Sequence, residues 1–294
     1  MEDLTLDNWI DRYVDFLRMR HYSDGTIANY HRSLRSLSAG LVVRAGQGKA
    51  VTPADVTTVA LYDHLAAVSE EGHISPRTLN WLVCSYSSFF RFLVTQGAVD
   101  TNPADRIERP KVGQTGVRCL KHGQVSRLLR SIDDSRDRLI VRLIYATGVR
   151  VSELCGMRVE EVDLDDGMIR VTGKGNKERV VFLDDATADA LGEFISDRTS
   201  GPLFMGYGGK PISTRTIQLL FKQYAPEGVT PHTIRHSYAS ELYRRSRNLR
   251  IVQENLGHTS IKTTEIYLHT DLEERREVYR RYFPLASGDD DRGD

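Results

Sequence analysis

The sequence predicts a mainly α-helical chain with one small β-hairpin, an α+β arrangement divided into two domains. Three observations carry that expectation. Apolar residues recur at helical spacing through much of the 294 residues; one Gly- and Lys-rich turn is flanked by segments of alternating apolar residues; and residues 100–117 show no period at all.

The first hundred residues read as a helical domain. "LDNWIDRYVDFLRM" and "TIANYHRSLRSL" have helical apolar periodicity, and Thr52 with Pro53 and Ser75 with Pro76 each place proline at a first helical position behind an N-cap. "DTNPADRIERPKVGQTGV", residues 100–117, mixes prolines, glycines and charges and is expected to be a linker, so that the first domain spans 1–99. "HGQVSRLLRSI" and "RDRLIVRLIYATGVRVSELCGM" then return to a helical pattern. "GMIRVTGKGNKERVVFL" is the hairpin, over about 167–183. Beyond it Ser213 caps "TRTIQLLFKQYA", and Thr230 with Pro231 opens "HTIRHSYASELYRR". The second domain is expected over 118–283, and the acidic residues 284–294 are expected to lack order.

Composition narrows the class. With 40% apolar residues the chain has material for a sizeable core. No stretch approaches the roughly 18 uninterrupted apolar residues of a membrane span, and the start "MEDLTLDNWIDRY" is acidic, so the expectation is a cytoplasmic protein without membrane contact. Cys84, Cys119 and Cys155 are far apart, which argues against a disulfide framework and a zinc site. Net charge is zero, which at first argues against nucleic acid. Leaving out the last six residues, however, the part after residue 110 carries a net +5, with "ELYRRSRNLR" the main basic cluster. A solvated face explains such a cluster equally well.

Chemistry concentrates in four segments. In "PHTIRHSYAS", His232, Arg235 and His236 stand at i, i+3 and i+4, on one face of a helix. Two histidines at that spacing suggest zinc, but Thr233 stands where the general-base glutamate belongs and Arg235 would oppose a cation, so no metal is expected. An arginine beside a histidine suits a phosphate better. In "ATGVRVSEL", Arg150 reads either as a surface partner of Glu153 or as a second anion-binding group. Lys174 in "TGKGNKER" sits at the hairpin tip, either merely solvated or reactive. In "LGHTSIKTTEIYLHT", Tyr267 lies between Ile266 and Leu268, and taken alone reads as a packed tyrosine.

Together, in order and spacing, these motifs resemble the tyrosine recombinases, the phage-integrase superfamily, and within it the compact Xer-type recombinases. The resemblance covers nearly the whole chain. "SDGTIANYHRSL" and "SPRTLNWLVCSYSSFFRFL" are similar to the family's helical, SAM-like core-binding domain, and "TGVRVSEL", "GKGNKER", "PHTIRHSYAS" and "LGHTSIKTTEIYLH" to its catalytic motifs. Ser240, where threonine is commoner, is a conservative departure. The resemblance implies that Arg150, Lys174, His232, Arg235 and His258 surround a scissile phosphate and that Tyr267 is the nucleophile.

The chemistry implied is metal-free and needs no cofactor. A phenol with pKa near 10 is only about 0.1% ionised at neutral pH, so Tyr267 needs a base, the role that the resemblance gives His232. Arg150, Arg235 and His258 would stabilise the transition-state charge, Lys174 would protonate the leaving 5′ oxygen, and Glu153 would orient the site. The product would be a 3′-phosphotyrosyl bond. The resemblance further implies a double-stranded DNA partner with a specific recombination site, the two domains clamping the duplex as a C-shaped pair. It also implies a homotetramer with two protomers per site working through a Holliday junction, the segment "DLEERREVYRRYF" docking on a neighbouring subunit, and an accessory protein as a further candidate partner. Arg77 and Asn80 in "SPRTLNWL" are candidates for DNA contact. Resolution of chromosome or plasmid multimers is the expected role. Integration of a virus, plasmid or transposon, a type IB topoisomerase and a noncatalytic DNA-binding protein stand as alternatives.

Overall fold

A computed structural model describes residues 4–46, 50–72, 74–110, 118–173 and 175–257, and the chain divides into two compact units, Met1–Thr115 and Gly116–Asp294. In the first, α1 (Leu6–Met19), α2 (Asp24–Ala45), α3 (Thr58–Gly72) and α4 (Pro76–Thr95) enclose one core. Helix α1 starts where Thr5 and Asn8 cap each other's backbone N–H groups, and it buries Leu6, Ile10, Tyr13, Val14 and Leu17 at helical spacing. Ser23 and Ser75 cap α2 and α4. The Tyr13 ring lies 5.4 Å from Phe89 and 5.3 Å from Phe92, and the buried Ser33 and Ser85 hydroxyls satisfy each other at 2.6 Å.

Two expectations for this unit need correction. Thr52 and Pro53 open only a 3-10 turn, Pro53–Asp55, because the Asp55 carboxylate closes back on Thr52 N at 2.8 Å and Val56 then turns extended and buried; α3 starts at Thr58. The stretch expected as a linker from residue 100 contains a second 3-10 turn, Pro103–Arg106, and Ala104 and Ile107 join the first core. A turn of 4 residues is too short to leave a period in the sequence. Residues 111–117 lie outside the described residues.

The second unit runs α5 (His122–Arg130), α6 (Ser135–Thr147), α7 (Val151–Gly156), β1 (Val162–Asp163), β2 (Met168–Thr172), β3 (Glu178–Phe182), α8 (Asp185–Ile195), α9 (Thr214–Tyr224), α10 (Pro231–Ser246) and α11 (Leu249–Leu256). Strands β2 and β3 form the expected hairpin, with Ile169 opposite Val181 and Val171 opposite Arg179. A third strand, β1, adds to the antiparallel sheet in the order β1-β2-β3, and its 2 residues were too few to read from the sequence. Ile169, Val171 and Val181 point into a core shared with Ile140, Leu143, Ile144, Ile217 and Ile234. Ser213 and Thr230 cap α9 and α10 as expected. Among the described residues no helix is long and apolar enough to cross a membrane.

Candidate active site

Helix α6 ends on Gly148, whose left-handed backbone (φ 64°) and lack of a side chain are both required, since a Cβ there would collide with the Tyr238 ring. The turn delivers Arg150 to the N-cap of α7, where its backbone N–H and its guanidinium each donate to Glu153 at 2.7 Å. The surface pairing considered for these two residues is half right. They do pair, but the Glu153 carboxylate is buried, with its side chain 2% exposed.

Arg179 closes on the same carboxylate from β3 with a two-pronged grip, Nη1 to Oε1 at 2.9 Å and Nη2 to Oε2 at 2.8 Å. Arg235 approaches it from α10 at 3.9 Å. Burial alone would raise the Glu153 carboxyl, but hydrogen bonds from Arg179 and the Arg150 backbone, with the Arg179 charge, bring it down to about 2. Three guanidiniums around one carboxylate leave the cluster strongly positive, as an anion site requires.

On α10 the helical spacing holds, but the three residues differ in exposure. His232 faces solvent, His236 is half-buried and Arg235 is buried, its guanidinium donating to the Gly148 and Leu256 carbonyls, the latter at 2.8 Å. Partial burial, then the charges of Arg235 and Arg150, lower the His232 pKa, so the imidazole is neutral near pH 7. Burial, then His232 and Arg235, push His236 down to about 4. Ser240, on the same helix, meets Cys119 Sγ from the segment before α5 at 3.2 Å.

Helix α11 ends beside this cluster. Its cap, Gly257, is left-handed (φ 61°) and lies against the Arg179 side chain, while Arg179 Nε donates to Asn255 O at 2.9 Å and Arg150 Nη2 reaches Gly257 O at 3.5 Å. A cleft of about 990 Å³ opens alongside, lined by Arg150, Ser152, Gln218, Lys222, Thr230 and His232.

Of the residues singled out in the sequence, Arg150, His232 and Arg235 therefore come together. Lys174, His258 and Tyr267 lie outside the described residues, as do the segment 271–283 and the acidic residues 284–294. Arg77 is exposed and Asn80 half-buried on the first turns of α4, in the other unit. Arg179 escaped the sequence reading, although a signal was present. Strand alternation puts it on the same face as the buried Val181, and an arginine turned inward needs a buried anion.

Residues 118–274 match the phage integrase family, and residues 10–97 match the phage integrase N-terminal SAM-like domain. The chain is 34% identical over 281 residues to the tyrosine recombinase XerC of Pelobacter propionicus, covering 91% of this chain and 92% of that protein. It is 31% identical over 300 residues to the tyrosine recombinase XerD of Staphylococcus saprophyticus, covering 96% and 100%. Among solved structures, a lambda integrase dimer bound to a COC′ core site superposes with a TM-score of 0.72 at 22% identity, covering 90% of this chain and 77% of that one, a likeness of fold.

Proposed function

The chain belongs to the phage integrase family of tyrosine recombinases, and from that premise we propose that it cuts and rejoins double-stranded DNA at a specific site through Tyr267. The observation that carries the site assignment is the convergence of Arg150 and Arg235 beside His232, with Glu153 as their common buried anchor. In this reading the two guanidiniums grip the non-bridging oxygens of one phosphate and stabilise the charge that gathers there as the phenol oxygen attacks. His232 takes the phenol proton, which only an unprotonated imidazole can do. His258 adds a hydrogen bond to the phosphate. The bond from phosphorus to the 5′ oxygen breaks, Lys174 supplies that oxygen with its proton, and the 3′ phosphate stays on Tyr267. Attack by the 5′ hydroxyl of another strand reverses the steps, so the phosphodiester energy is conserved without a nucleotide cofactor.

The similarity to XerC and XerD over nearly full length supports an Xer-like role, the resolution of chromosome or plasmid multimers in the cytoplasm. We take a tetramer on DNA, two protomers per site, as the working assembly, passing through a Holliday junction. A type IB topoisomerase would share the phosphotyrosine chemistry, but the N-terminal SAM-like match favours recombination.

A nicked suicide duplex, selected by binding from a randomised pool, tests the reading. In excess EDTA, the native chain is expected to form a covalent adduct whose digested peptide carries a 3′ phosphate on Tyr267. Tyr267→Phe is expected to abolish the adduct while binding DNA within about twofold, since only a hydroxyl is lost. An adduct that persists in Tyr267→Phe, or that maps to Tyr279 or Tyr282, would overturn the assignment.

A further inference from the structure

We propose that Arg179 is a positioning residue for strand cleavage: its two-pronged hold on Glu153 and its bond to the Asn255 carbonyl set Arg150 and the end of α11 where the scissile phosphate meets them. The inference rests on the assignment of Arg150 to the phosphate. Arg179 is 13% exposed, and its three polar contacts, two to Glu153 and one to the Asn255 carbonyl, turn its fork and stem inward between β3, α7 and α11. It acts through its partners.

The groups around it explain why a hydrogen-bonding core alone is an incomplete account. Among the described residues, the charges that face Glu153 are Arg150 from the start of α7, Arg179 from β3 and Arg235 from α10. From the other packed elements, the end of β2 brings Gly173 against Oε1, and the described residues at the end of α11 bring the Asn255, Leu256 and Gly257 carbonyls to the three arginines. Among the described residues, the titratable neighbours of Arg235 on its own helix are His232, His236 and Tyr238, and Tyr238 also faces Arg179. Arg179 supplies both a bond to each carboxylate oxygen and the closest full charge besides Arg150. Without it, burial is opposed mainly by Arg150, and the carboxyl pKa rises. A protonated Glu153 has one oxygen turned donor. Without its charge, and with one oxygen a poor acceptor, it holds the Arg150 backbone and guanidinium less firmly, and Arg150 is less well fixed.

The sign follows from that change. In the native chain Glu153 stays ionised down to about pH 2, so cleavage does not sense its titration at working pH. In Arg179→Met, which keeps bulk and removes charge, the carboxylate is lost as pH falls through the raised pKa. Cleavage therefore acquires an acid-side loss that the native chain lacks.

The experiment measures the rate of covalent adduct formation on the selected nicked duplex between about pH 5 and 8, as the ratio of variant to native, so that titration of His232 cancels. Arg179→Met is expected to cleave about threefold slower at the alkaline end and about thirtyfold slower at the acid end, with DNA affinity within about twofold. Arg179→Lys, which keeps the charge without the fork, is expected to restore a flat ratio at an intermediate rate, and Arg179→Met combined with Glu153→Gln to give a flat, low ratio. The Glu153 carboxyl is followed in parallel by carbon-13 NMR, with a midpoint expected to rise in Arg179→Met. A flat ratio for Arg179→Met, or a Glu153 midpoint unchanged from native, overturns the inference. If Arg179→Met fails to fold, Arg179→Lys decides, and a native rate in that variant at all pH values overturns the fork's role. Absence of any adduct from the native chain would instead strike at the recombinase assignment, while the carboxyl midpoint would still read the hold of Arg179.

Discussion

At the scale of single residues, the site depends on backbone atoms as much as on charged side chains. Arg235 is aimed by the carbonyls of Gly148 and Leu256, and Gly148 can offer its carbonyl only because it has no Cβ under the Tyr238 ring. Gly148→Ala is therefore expected to destabilise the protein by about 2–4 kcal/mol, combining the left-handed backbone penalty with overpacking, and to slow adduct formation at least tenfold. Thermal unfolding and the suicide duplex measure the two effects, and a variant with native rate and native melting would remove Gly148 from the site's support. His232 and Arg235 were singled out in the sequence by their i, i+3 spacing and Arg150 by the resemblance, and the structure brings the three together. The burial of Arg235 was not legible in the sequence, since the carbonyls that accept from it come from the ends of two other helices.

At the scale of elements, the hairpin shows what pattern carries and what it leaves out. Alternation over "MIRVT" and "ERVVF" gave both strands, and Gly173 N bonded to Lys177 O at 2.8 Å closes the turn between them. The same alternation hid a function, because Arg179 occupies an inward position that counting apolar residues passes over. Elements of a few residues, such as β1 and the 3-10 turns, have no room for a period and emerged only from the structure. The general-acid role proposed for Lys174 has its own signature. Lys174→Ala is expected to cleave an ordinary phosphodiester about a hundredfold slower, and to recover most of that loss on a 5′-bridging phosphorothiolate, whose sulfur leaves without a proton. Failure of sulfur to rescue the variant would move the general acid elsewhere.

At the scale of the whole molecule, among the described residues the buried cluster of the first unit shares no residue with the two clusters of the second. Fragments 1–110 and 118–294 are accordingly expected to fold separately, each with a cooperative thermal transition by circular dichroism; a fragment that stays unfolded would count against autonomy. The helical class and the hairpin were legible throughout, because periodicity extends over whole elements. The end of the first unit was harder to read, since Ala104 and Ile107 are isolated apolar residues among prolines and charges.

The tether on Arg235 has a bearing on synthesis. Its two carbonyl acceptors lie 87 residues before it and 21 residues after it, and Arg179 reaches forward 76 residues to Asn255. A chain made only as far as Arg235 contains Arg150, Arg235 and Glu153 but not the α11 carbonyls that accept from Arg235 and Arg179. Contacts so far apart in the chain close late. A nascent or prematurely stopped polypeptide thus holds the charged groups without their alignment.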